Sequence, residues 1–228
     1  MTTLTIGGRE CLLLNDDEKP RVLLIQPMGA HERDGMATQV NMTRQAAGVP
    51  LVLAAPAIDD WEVELMPWPD AAMSRREHAG ECAGHTLSHI TEALIPFLRE
   101  RYGPLPIVLG GYSLGGLFAL WAASRCPCFA AVAAVSPSVW IAGWREHAAA
   151  HPVQARHVYL SLGLREERTR NCAIARVGDN IRFEHELLQR QPGVERCVLE
   201  WNEGGHFAHC AQRTARGFAW CVGQVAAP

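Results

Sequence analysis

The sequence predicts an α/β fold with a mostly parallel central sheet and helices on both faces, and three observations carry that expectation. Short continuous apolar runs recur along the chain, as strands buried on both faces require. They alternate with longer segments whose apolar residues repeat at helical spacing. The composition, 48% hydrophobic and 20% charged over 228 residues, suffices for one large core, so a single domain over 1–228 is expected.

Residues 2–14 read as an edge hairpin, because Leu4 and Ile6, then Cys11, Leu12 and Leu13, flank the turn pair Gly7-Gly8. Arg21 to Gln26 (RVLLIQ) and Pro50 to Ala55 (PLVLAA) are bounded by prolines and glycine and suit fully buried strands. Residues 57–84, rich in Trp, Pro and acids, follow neither period and are expected to form an irregular segment over a cleft. Leu87, Ile90, Leu94, Phe97 and Leu98 then mark a helix ending near Gly103-Pro104. Strands are expected at 106–109, 129–135, 158–162 and 194–199, with helices over 117–123, 174–190 and 211–224.

Charge and export signals exclude several classes. The net charge is -3 and no basic run exceeds Arg75-Arg76, so nucleic acid is not an expected partner. The N-terminal MTTLTIGGRE lacks the basic and apolar regions of a secretory signal, and no stretch approaches a membrane span. A cytoplasmic protein without membrane contact is expected. The eight scattered cysteines are then expected as free thiols. Cys126-Pro127-Cys128 is their one close pair, and without a second pair or a histidine at ligand spacing it does not read as a zinc site; no metal or cofactor is expected. Nothing in the sequence reads out the oligomeric state.

Chemistry enters at PIVLGGYSLGGLFALWAASR, where Gly111-Tyr112-Ser113-Leu114-Gly115 forms G-x-S-x-G between a strand and a helix. That is the nucleophile-elbow pattern of the α/β-hydrolases. A sharp turn would hold Ser113 strained with its Oγ exposed, with glycines at 111 and 115 admitting close backbone. The Leu114 amide would lie at a helix N-terminus, aimed at a developing oxyanion.

A serine nucleophile needs a histidine base and an acid that orients it. Chain order in such folds confines the base to positions after 113. His206, in NEGGHFAHC, follows a strand and a Gly204-Gly205 turn, whereas His157 opens a strand and His209 borders the last helix. The acid is expected after strand 158–162, where Glu166 and Glu167 are adjacent and Asp179 is a further alternative. The turn IQPMGAHERD offers the Met28 or Gly29 amide as a second oxyanion donor, since Pro27 has none, and His31 beside it is a candidate substrate contact. Tyr112, Trp61, Trp68, Trp140 and Trp144 are candidate pocket or core aromatics.

GGYSLGGLFALWAA, AAVSPSVWIAGW, GLREE and GGHF together resemble the esterase D and enterochelin-esterase-like branch of the α/β-hydrolases. The resemblance implies hydrolysis of a small-molecule carboxylic ester or thioester through an acyl-enzyme. It places the acid of its Gly-x-Arg-Glu pattern on Glu166, ahead of Glu167. Acyl transfer, peptide hydrolysis by the same residues, and a catalytically silent binding module are the competing expectations.

Overall fold

The computed structural model describes residues 1–16 and 19–226. Its strands are β1 Thr2–Ile6, β2 Arg9–Leu14, β3 Val22–Ile25, β4 Met28–Gly29, β5 Leu51–Ile58, β6 Ile107–Tyr112, β7 Ala131–Val135, β8 His157–Gly163 and β9 Arg196–Asn202. They form one sheet in the order β1-β2-β5-β3-β6-β7-β8-β9, with the two-residue β4 paired to β5. The β1–β2 hairpin is antiparallel with Ile6 opposite Arg9, and it joins β5 antiparallel; from β5 to β9 every pairing is parallel. Gly7 and Gly8, at φ 56° and 81°, make the turn of left-handed residues that matches the twist of a tight hairpin.

Every residue of β3, β6, β7 and β8 is buried, which is why these strands read as unbroken apolar runs. Helix α1 (Arg33–Ala47) and the last helix, α9 (Cys210–Val225), cover one face. The other face carries the helices between them in sequence. These are α2 (Trp61–Glu64), α3 (Ala83–Ser88), α4 (Ile95–Tyr102), α5 (Leu114–Arg125), α6 (Trp144–Ala150), α7 (Cys172–Ala175) and α8 (Val177–Arg190). A π-helical stretch, His89–Leu94, makes α3 and α4 one continuous run. Helix α5 is apolar on nearly all sides and buried from Gly115 to Ala123.

Some local expectations change. The irregular 57–84 segment contains α2, begun by Asp60, whose carboxylate accepts the Glu62 and Val63 amides at 3.1 and 3.2 Å, and it ends in the first residues of α3. The single helix over 174–190 is two, α7 and α8, meeting at Arg176. Cys126 and Cys128 are joined in a disulfide, not free thiols: the turn after α5 sets their Cα atoms 5.5 Å apart, within bridging range. The other six cysteines are free.

Helix α8 buries a carboxyl group in the core. Glu184 is 1% exposed, accepts the Trp144 indole N–H at 2.9 Å, and burial pushes its pKa up from 4.5 to about 7. A raised folded-state value means stability that is fully present below the unfolded pKa and lost as pH climbs through the folded one. Glu184→Gln keeps an acceptor for the indole and removes the charge. Urea denaturation is expected to show wild type losing about 2–3 kcal/mol more than Glu184→Gln between about pH 5 and 8.

Candidate active site

The turns that leave β6, β7, β8 and β9 meet at the C-terminal edge of the parallel sheet, where open α/β sheets gather their sites. Ser113 sits where β6 becomes α5, at φ 55° and ψ -116°, a conformation costly to any residue with a Cβ. Its amide donates to Val135 O at 3.0 Å, and its carbonyl accepts the Leu117 and Ser138 amides at 3.0 and 3.1 Å. Three backbone bonds thus hold the strained residue.

The steric demand for glycine falls at 111 and 116. A Cβ on Gly111 would lie 2.8 Å from the Gly115 carbonyl carbon, and one on Gly116 3.0 Å from Gly111 O. One on Gly115 would meet nothing nearer than the Trp61 ring at 3.8 Å, so the close approach expected to require Gly115 is made by Gly116. The side-chain position of residue 115 faces the Trp61 indole.

Of the candidate bases, His206 reaches Ser113: its Nε2 is 3.0 Å from Ser113 Oγ. Its Nδ1 is 2.6 Å from Glu166 Oε2. Glu167 points away and makes a two-pronged pair with Arg182 at 2.8 and 2.9 Å, while Asp179 is 3.5 Å from the same guanidinium. His157 opens β8, at the sheet's opposite end.

Sequence reasoning missed the residues that hold Glu166. Glu166 Oε1 accepts the Gly163 amide at 2.6 Å, Ser136 Oγ at 2.7 Å and Arg213 Nη2 at 3.0 Å. Burial by itself would raise this carboxyl, but bonds from His206, Ser136 and Gly163 outweigh it and hold its pKa down at about 2. Arg213, 2% exposed, also donates to Tyr112 OH at 2.8 Å, and that hydroxyl donates to the His206 carbonyl. One buried arginine therefore braces both Glu166 and the His206 loop. Ser138 places its Oγ 3.2 Å from Ser113 Oγ. The SPSVW segment was the available signal for Ser136 and Ser138; a lone arginine on the closing helix carried none.

The Leu114 amide precedes the first helical bond of α5, which runs from Leu117 N to Ser113 O. In the β4 turn, the Gly29 amide donates to Glu32 Oε2 at 3.0 Å, closing a capping contact at the turn that leads into α1. Burial raises the Glu32 carboxyl, partly offset by that amide.

Two cavities open on Ser113. The first, about 400 Å³, lies between α1 and α9 and includes His31, Met36, Trp61, Tyr112 and Ala211. The second, about 380 Å³, lies between the turns after β7 and β8 and includes Ser138, Trp140, Arg165, Thr169 and Val177. Trp61, Trp140, Tyr112 and His31 thus take cavity positions. Trp68 lines neither cavity, because its indole donates to Ala142 O at 2.8 Å and stacks on Trp144, itself buried in the core. Among the described residues no three His, Cys, Asp or Glu side chains are grouped to hold a metal ion, and no helix is long and apolar enough to cross a membrane.

A parallel sheet with a serine turn after its central strand and an acid and a histidine after the later ones is the α/β-hydrolase fold. Within it, this chain belongs to the Esterase family, whose model it matches over residues 35–207, and it is accordingly a hydrolase of the esterase type. Solved structures share the fold at low identity. A siderophore hydrolase, EstA from Aspergillus nidulans, superposes with a TM-score of 0.75 at 18% identity, over 95% of this chain and 90% of its own. An IroE-like serine hydrolase from Shewanella oneidensis gives 0.72 at 14%, over 95% and 75%. The enterobactin esterase FES from Shigella flexneri gives 0.64 at 18%, over 96% and 58%. Among curated proteins none matches the chain.

Two outcomes follow for variants. Arg213→Met leaves the Glu166 charge buried without its cation and is expected to cost about 3–5 kcal/mol in urea denaturation; adding Glu166→Gln should recover part of that loss. Gly111→Ala is expected to destabilise by about 1–3 kcal/mol, whereas Gly115→Ala should stay within about 1 kcal/mol of wild type in the same measurement.

Proposed function

We propose that the protein hydrolyses a small-molecule carboxylic ester or thioester through an acyl-enzyme, with Ser113 as nucleophile, His206 as general base and Glu166 as the acid that orients it. The observation that carries this reading is the unbroken line from Ser113 Oγ to His206 Nε2 at 3.0 Å and from His206 Nδ1 to Glu166 at 2.6 Å. With Nδ1–H donated to the ionised Glu166, Nε2 carries the lone pair that takes the serine proton.

As Ser113 Oγ attacks the carbonyl carbon, its proton passes to Nε2 and negative charge develops on the carbonyl oxygen. The Leu114 amide meets that charge, and the second donor is the amide of Met28, or that of Gly29 once Glu32 releases it. When the tetrahedral species collapses, the C–O or C–S bond breaks and Nε2 returns its proton to the leaving alcohol or thiol. Water, deprotonated by the same nitrogen, then attacks the acyl carbonyl and restores Ser113. Glu166 stays ionised throughout, since its carboxyl is held at about 2.

A fluorophosphonate is expected to label Ser113 in the wild type and to leave Ser113→Ala unlabelled; undiminished labelling of that variant would sink the reading. Under saturating ester, Glu166→Gln is expected to lower kcat by about 10⁴-fold, as the loss of an orienting acid does in comparable sites. Glu167→Gln, altering a carboxylate paired with Arg182, should keep kcat within about threefold of wild type. A loss confined to Glu167→Gln reverses the assignment.

A further inference from the structure

We propose that Phe207 is a specificity-determining side chain: the shared lip of both cavities, closing over a bulky apolar or aromatic group carried by the ester. The proposal rests on Ser113 and His206 acting as described above. Three residues line both cavities, and they are Ser113, His206 and Phe207. An ester whose carbonyl carbon sits at Ser113 extends one arm into each cavity, so both arms pass Phe207.

The exposure of Phe207 points to a ligand. It is 91% exposed, and the other exposed large apolar side chains among the described residues are Met1 and Leu164. A phenyl ring left in water forgoes the transfer free energy that buries such rings elsewhere, and that deficit is removed when an apolar surface covers it. The ring is not adrift. It meets the His206 imidazole edge-on, with centroids 5.1 Å apart at 84°.

The backbone builds this placement in. Gly204 at φ 94° and His209 at φ 55° bracket the segment, and the Ala208 amide closes a turn onto Gly205 O at 3.1 Å. His206 is thereby directed inward to Ser113 and Phe207 outward over the cavity mouths. The first cavity offers a matching surface in Met36, Trp61 and Ala211, the second in Trp140, Ile174 and Val177. Either volume lies in the range of ordinary small-molecule sites.

Three esters separate the arms: ethyl acetate is small on both sides, ethyl phenylacetate bulky in the acyl group, and benzyl acetate bulky in the alcohol. Phe207→Ala is expected to lower kcat/KM for at least one bulky ester about tenfold more than for ethyl acetate, chiefly through KM. Phe207→Leu should fall between wild type and Phe207→Ala, and the bulky ester that suffers identifies the arm Phe207 covers. Equal losses on all three esters would mean that Phe207 acts only by supporting His206, and losses under threefold on both bulky esters would mean that it contacts no substrate; either overturns the proposal. Fluorophosphonate labelling of Ser113 in the same preparations keeps the two readings apart. A wild type that neither labels nor hydrolyses any of the three esters removes the assignment of Ser113 and His206, and this inference with it.

Discussion

A carboxylate buried at the C-terminal edge of the sheet organises this molecule. The Glu166 side chain is 4% exposed, and an ionised carboxylate taken that far from water is costly unless its lone pairs are filled. Four donors fill them: the Gly163 amide, the Ser136 hydroxyl, the Arg213 guanidinium and the His206 imidazole. These come from the end of β8, the turn after β7, helix α9 and the loop after β9. Satisfying one charge therefore fixes four chain segments relative to one another, and the histidine that faces Ser113 is among them.

The sheet supplies the rigidity this arrangement needs. Positive φ at Ser113 and Ser136 is strain that persists only where surrounding structure over-determines it. Ser113 is bound to Val135 O, and Ser136 N–H to Ser161 O at 2.9 Å, so both strained residues extend the ladder of fully buried parallel strands. Close backbone approaches complete the clamp. A Cβ on Gly163 would lie 2.7 Å from Gly204 O, which shows how tightly the Glu166 turn is laid against the His206 loop.

The cavity walls follow from what is left unspent by that core. Trp68 and Trp144 use their indoles on each other and on Ala142 O and Glu184, whereas Trp61 and Trp140 remain only partly buried beside Ser113. Such a division between packing and binding aromatics is a matter of which ring finds a partner. Position in the sequence does not announce it.

The sequence by itself determined the main strands and four of the helical stretches, because buried parallel strands must be continuous apolar runs and helices repeat their apolar residues at helical spacing; its periodicity did not mark α1, α2 or α6. It also singled out Ser113 and, by chain order, the neighbourhood of His206 and Glu166, side chains that the structure brings within hydrogen-bond distance of one another. Local pattern did not choose between Glu166 and Glu167 except through resemblance to a family, since adjacent residues share the same composition and differ only in direction. Tertiary structure decided that direction: Glu166 turns inward to His206 and Arg213, and Glu167 outward to Arg182. Arg213, the Cys126–Cys128 bridge, the burial of Glu184 and the exposure of Phe207 were decided the same way. Arg213 meets Glu166 across 47 residues, and contacts at that separation depend on how helices seat against the sheet, which no window of sequence encodes.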